Sequence, residues 1–172
     1  MPWRLHFRIS AGAMLRVGAT VGAMAASLLP AETSLAEKCP LTAPLIVKDL
    51  QGGVVGQTGT VWTVALDCSF TVARQIGANI AGPHKQGRLT AEQRKRLQAL
   101  LGGVPMAALP SQSGGAGQVN ARQITLSYGR NRTALSLAPG GGDLKTLRAA
   151  AADQPSARLL ELAEALRDMT GG

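Results

Sequence analysis

The chain has 172 residues, 45% of them hydrophobic and 3% aromatic, with 18 basic against 10 acidic side chains and a formal charge of +8. Apart from Arg94-Lys95-Arg96 and the pair Arg130 and Arg132, its basic residues are scattered, and aromatics on which bases could stack are nearly absent. Composition therefore argues against a nucleic-acid partner, which requires a dense basic stripe interleaved with aromatic rings.

Arg4, Arg8 and Arg16 precede an uncharged run from Val17 to Ala31 that leads into Ser34-Leu35-Ala36. A positive start, an apolar stretch of about 7 to 15 residues and small residues at minus three and minus one are the requirements of translocation and signal cleavage. Residues 1–36 thus read as a secretory signal peptide cleaved at Ala36, with Met14 as an alternative start. The run is too short and too rich in Gly and Ala for a membrane span, which needs about 20 apolar residues. The expectation is a periplasmic or secreted chain over 37–172, with no stable membrane span after cleavage. Its charge is +6, because the leader removes three basic residues and Glu32. Mild positive charge suits an anionic envelope surface or an acidic partner.

Cys39 and Cys68 are the two cysteines. Both follow the cleavage site, so in an oxidising compartment the simplest expectation is one disulfide, closing a loop of about 29 residues and worth about 3 to 4 kcal/mol. It would pin the new N-terminus to a hairpin tip. Glu37-Lys38 do not supply the small residues that lipid modification of Cys39 would need.

Leu45 to Leu50 reads as a first strand, ending at the glycine-rich stretch Gly52-Gly53-Val54-Val55-Gly56-Gln57-Thr58-Gly59. Thr60 to Leu66 alternates Trp62, Val64 and Leu66 with Val61, Thr63 and Ala65, the period of a half-buried strand. After a turn at Asp67-Cys68-Ser69, Phe70, Val72 and Ile76 continue that alternation, with Thr71, Ala73 and Gln75 facing outward. Gly77 to Gly87 lacks periodicity, contains Gly82-Pro83 and reads as a loop carrying His84. Thr90 and Gln93 form a capping box that opens a helix with Leu97, Leu100, Leu101 and Val104 on one face and Arg94, Lys95 and Gln98 toward water. Ala107 to Pro110 is an apolar clip, and Ser111 to Gln118 a loop rich in Gly and Ser.

A second hairpin pairs Ile124, Leu126 and Tyr128 with Thr133, Leu135 and Leu137 across Gly129-Arg130-Asn131-Arg132. Asp143 caps a weak helix through Leu144, Leu147 and Ala151. Pro155 then begins a stronger helix with Leu159, Leu162, Ala163, Leu166 and Met169 as its buried stripe. This order predicts a single α+β domain over 37–172: an antiparallel sheet of two hairpins plus a first strand, with two or three helices packed on one face.

Catalytic signals are missing. The exported part has one histidine, His84, and no Gly-x-Ser-x-Gly elbow. Asp49, Asp67 and Glu92 are candidate carboxylates with nothing in the sequence to bring two of them together. No spacing of His or Cys suits a metal, and the glycines of 52–59 lack the Lys-Ser/Thr ending of a phosphate-binding loop. The expectation is a non-enzymatic protein with no cofactor and no metal. Trp62 reads as core, and the glycine-rich stretch either as a plain turn or as a rigid exposed loop presented to a partner.

Gly52-Gly53-Val54-Val55-Gly56 after a first strand, Leu89-Thr90-Ala91-Glu92 leading into Leu97 and Leu100-Leu101, Leu109-Pro110 after that helix, the hairpin from Arg122 to Leu137 and the Leu-rich last helix follow one another in a telling order. From Leu45 to Met169 this order resembles emfourin, a family of small bacterial proteins that inhibit thermolysin-like zinc metallopeptidases. The leader, the cysteine pair and the longer stretch from Ile76 to Arg88 depart from the family pattern. No functional residue carries over by position. The resemblance implies an α+β fold and an inhibitor of a co-exported zinc peptidase, in which Gly52, Gly53, Val54, Val55 and Gly56, with His84, enter the peptidase cleft. The alternative reading is an envelope binding or assembly module that meets a protein or an anionic surface through its sheet or its basic helix face.

Overall fold

The computed structural model describes residues 38–102, 120–140, 142–151 and 153–171. The expected signal peptide, Val104, the expected 107–110 clip and the expected 111–118 loop lie outside the described residues. The elements are β1 (Leu45–Gln51), β2 (Thr58–Val64), β3 (Ser69–Ile76), β4 (Asn79–Ile80), β5 (Lys85–Arg88), α1 (Ala91–Gly102), β6 (Arg122–Tyr128), β7 (Asn131–Leu137), α2 (Leu144–Ala149) and α3 (Gln154–Thr170). The sheet is antiparallel throughout and runs β4-β3-β2-β1-β6-β7, with β5 sharing the outer side of β3 with β4. With its three helices it is the expected α+β fold.

Strand β1 is central, pairing Val47 with Trp62 on one side and with Leu126 on the other. Leu45, Val47, Trp62, Val64, Phe70, Val72, Ile124, Leu126 and Leu135 are buried on the face that meets the helices. The whole predicted stripe of α3 is buried there, joined by Leu160 and Ala165. Each such side chain stabilises the fold by about 1.5 to 3 kcal/mol. Asp153 caps α3 with Pro155 in the first turn, and Gly171 closes it in the left-handed region at φ 62°. Asp143 caps α2 as expected, although that helix ends before Ala151. In the capping box of α1 the Thr90 N–H donates to Gln93 Oε1 at 2.8 Å and the Gln93 N–H to Thr90 Oγ1 at 3.2 Å. Leu97 is buried, Leu100 and Leu101 partly so. Lys95 and Gln98 face water, whereas Arg94 is half-buried.

Four readings change. The stretch Gly77 to Gly87 is not a loop: Gly77 (φ 60°) and Ala78 make a two-residue turn between the paired Ile76 and Asn79, and the chain runs back along β3 as β4 and β5, interrupted at Gly82-Pro83. Polar, glycine-containing edge strands carry no period-two signal, because neither face is buried. Thr58 and Gly59 belong to β2 rather than to the preceding loop. Leu66 and Ile76 are exposed at strand ends, while Ala73 and Gln75 are buried. Lys48 Nζ donates to Gln75 Oε1 at 3.0 Å, so its side chain spans β2 on the face away from the helices, where Val61 and Ala73 stand in register between them. Lastly, the β6–β7 turn is Gly129-Arg130 alone, with Asn131 and Arg132 already in β7.

Cys39 and Cys68 form the expected disulfide, with Cα atoms 5.4 Å apart. It ties residue 39 to the β2–β3 hairpin tip, where Cys68 sits at φ 62°. That left-handed position favours glycine, but only a residue with a Cβ can make the bridge.

A candidate interaction site at the end of the sheet

The loop 52–57 joins β1 to β2. Within it the Gly56 N–H donates to the Gly53 carbonyl at 3.0 Å, closing a β-turn with Val54 and Val55 at its two central positions and Gly56 at φ 87°. These are places for Pro, Asn, Asp, Ser or Gly, each for a local conformational reason that valine does not share. Nor does burial account for the valines: Val54 is 106% exposed and Val55 68%.

The loop is held from two sides. Toward β6, the Gly52 N–H donates to the Ala121 carbonyl at 3.0 Å and the Gln51 side-chain amide to the Asn120 carbonyl. Toward the β3–β4 turn, the Gly77 N–H donates to the Gln57 carbonyl at 2.8 Å. A Cβ on Gly52 would stand 2.8 Å from Asn120 Cα, and one on Gly77 3.3 Å from the Val55 carbonyl oxygen. Close backbone approach thus requires glycine at Gly52, and the left-handed φ of 60° favours it at Gly77.

Of the five exposed large hydrophobic side chains among the described residues, Val54, Val55, Ile76 and Ile80 belong to this end of the sheet. From the sequence Ile76 reads as an inward residue of the return strand and Ile80 as part of a loop, so neither is expected at this surface; the β3–β4 hairpin brings them there. Its local signal is glycine leading a two-residue turn. His84 is exposed and lines a groove of about 340 Å³ with Thr58, Gly59, Thr60 and Arg74, beginning where the loop re-enters β2. The predicted residues Gly52 to Gly56 therefore act together as one braced turn, and His84 lies in the groove that follows it.

The candidate carboxylates are engaged separately. Asp49 faces the Arg122 guanidinium in a bidentate pair, with Nε to Oδ1 at 2.7 Å and Nη2 to Oδ2 at 2.6 Å, while Arg122 Nη1 donates to the Gly142 carbonyl at 2.7 Å. This pair is largely buried and locks β1 and β6 to the approach to α2. Hydrogen bonding to Asp49 raises the Arg122 pKa above the usual arginine range, against the opposing effect of burial. Asp67 accepts from Ser69 Oγ at 2.6 Å and from the Ser69 N–H at 3.0 Å, and pairs with Arg88 at 2.9 Å. Its carboxyl is held below the ordinary value of 3.8, chiefly by the Ser69 hydroxyl. Glu92 lies on exposed α1. A cavity of about 470 Å³ at the α2–α3 elbow is lined by Arg148, Asp153, Arg158 and Glu161, of which Arg158 and Glu161 pair with each other. Among the described residues no group of three or more His, Cys, Asp or Glu side chains could hold a metal, and no helix is long and apolar enough to cross a membrane.

Compared with known proteins, the chain matches no family model and no curated protein.

Proposed function

We propose that this is an exported protein that inhibits a thermolysin-like zinc peptidase by inserting the 52–57 turn into the enzyme's cleft. The observation that carries this reading is the pair Val54-Val55: two adjacent valines at turn positions that valine does not favour, both exposed to solvent on a backbone held from both sides. Neither folding nor turn formation accounts for them, whereas a preorganised apolar tip meets the needs of a partner whose cleft is apolar, because little ordering entropy remains to be lost on docking. The resemblance of the motif order to emfourin supports the choice of a peptidase as that partner. Export rests on the leader and agrees with the disulfide, which forms and persists in oxidising compartments.

The test uses the protein recovered from the periplasmic or secreted fraction, titrated against a thermolysin-like peptidase exported alongside it. Inhibition should be stoichiometric. Val54→Asp and Val55→Asp should each weaken it about 10- to 100-fold, the cost of losing one buried valine contact, with no change in Tm. Full peptidase activity at excess inhibitor, or inhibition indifferent to both substitutions, would overturn the reading. Envelope binding that is lost with salt and untouched by these substitutions would favour the alternative, an assembly module on an anionic surface, for which the +6 charge of residues 37–172 is the supporting observation.

A further inference from the structure

The groove that follows the valine turn is a cationic one. Thr58 and Thr60 precede the buried Trp62 at a spacing of two on β2, so they stand on the face of the sheet that meets the helices. The register sets Arg74 of β3 beside Thr60 and the exposed Ile76 beside Thr58. On the far side of β3 the break at Gly82-Pro83 brings in His84, whose N–H donates to the Val72 carbonyl at 3.0 Å. With Gly59, these two threonines, Arg74 and His84 line a space of about 340 Å³.

Arg88, Arg96, Arg122, Arg148, Arg158 and Arg167 each pair with a carboxylate of the chain. Arg74 does not. Asp49 stands on the same face, across Thr60 from Arg74, but both of its oxygens accept from Arg122. No Asp or Glu lines the groove. Among the described residues the Arg74 guanidinium, the His84 ring and the Thr58 and Thr60 hydroxyls have no hydrogen-bond or ion-pair partner. A guanidinium only donates, an imidazole donates from its protonated nitrogen, and a hydroxyl donates as well. Such a set matches an anionic acceptor, and arginine presents the planar fork that meets a carboxylate at two points. The ligand must also suit the apolar end of the groove, where Ile76 leads through Gly77 to the valine turn. A polypeptide that offers apolar and acidic side chains side by side meets both demands, whereas a phosphate-bearing surface meets one.

We infer that this groove is a carboxylate site, in which Arg74, His84, Thr58 and Thr60 receive an acidic side chain of the polypeptide docked on the valine turn. The source of the carboxylate rests on the function proposed above; the groove's choice of a carboxylate does not.

The probe is an acetylated, amidated alanine peptide with one glutamate, whose side chain is its only charge, and the control is the same peptide with glutamine. Titrated to about 50 mM into isotope-labelled protein recovered from the periplasmic or secreted fraction, the first should shift the Thr58, Thr60, Arg74 and His84 resonances saturably, and the second should not. Arg74→Gln and His84→Ala should each weaken that binding about 10-fold, the loss of a hydrogen bond to a charged acceptor, with Tm unchanged. No shift, an equal response to the glutamine peptide, or binding indifferent to Arg74→Gln would overturn the site. So would adsorption to phosphatidylglycerol vesicles that is lost with Arg74→Gln in a protein that ignores the glutamate peptide. In the peptidase titration Arg74→Glu should weaken inhibition about 10- to 100-fold, a loss that shrinks as salt is raised. Inhibition equal to that of the wild type would overturn the partner as the source of the carboxylate. A wild-type chain that inhibits no peptidase would overturn the function proposed above and that source with it, while the two peptides still decide the groove.

Discussion

Two glycines separate what the fold demands from what the tip offers. At Gly59 a Cβ would overlap the Asp49 carbonyl oxygen, a backbone atom, whereas at Gly53 the nearest atom would be 3.8 Å away. Gly59→Ala should therefore cost about 1 to 3 kcal/mol or more through overpacking, read as a lowered denaturant midpoint. Gly53→Ala should be neutral or slightly stabilising by restricting the unfolded chain. Gly56, at φ 87°, would be strained by any side chain, so its substitution reports on the turn and not on a partner. The valines are the cleaner probes of binding, since they lie outside the core.

At the level of elements, period and capping were legible in the sequence. The α3 stripe, the Thr90–Gln93 box and the Asp143 cap follow from apolar spacing and from hydroxyl or carboxylate acceptors at helix starts, which are local properties. The β4/β5 edge was not legible, because its exposed residues have no inner face to create alternation. Nor were the buried Ala73 and Gln75, since Gln75 is engaged by Lys48 from a strand two positions away, a tertiary contact. In the candidate site the Gly52–Gly56 turn could be read from its glycines, but the braces at Asn120, Ala121 and Gly77 are tertiary contacts. The Asp143 carboxyl is also held below its ordinary value of 3.8, first by the Thr146 N–H, and Asp67 shares the direction. A depressed pKa contributes stability that is complete above the unfolded value and is lost as the pH falls through the folded one. Tm should therefore hold steady from pH 7 to about pH 5 and decline below about pH 4. Asp143→Asn keeps a cap acceptor without titrating and should flatten part of that decline.

Across the whole molecule, the disulfide closes the path from the N-terminal segment to the β2–β3 tip, and reducing it should lower stability by about 3 kcal/mol, seen as a lower Tm with reductant. Beside it, Thr42 meets the Tyr128 hydroxyl at 2.9 Å, so the segment from residue 39 to residue 42 is fastened at the sheet end that also holds the Gly129-Arg130 turn. The valine turn lies at the other end of β1, seven residues and about 20 Å away. The sheet thus has two poles, one where the described chain enters and one from which the valines project. A tag or surface tether joined ahead of Lys38 would hold the molecule by its heel and leave its point facing outward, whereas an insertion between Gln51 and Thr58 would blunt the point itself.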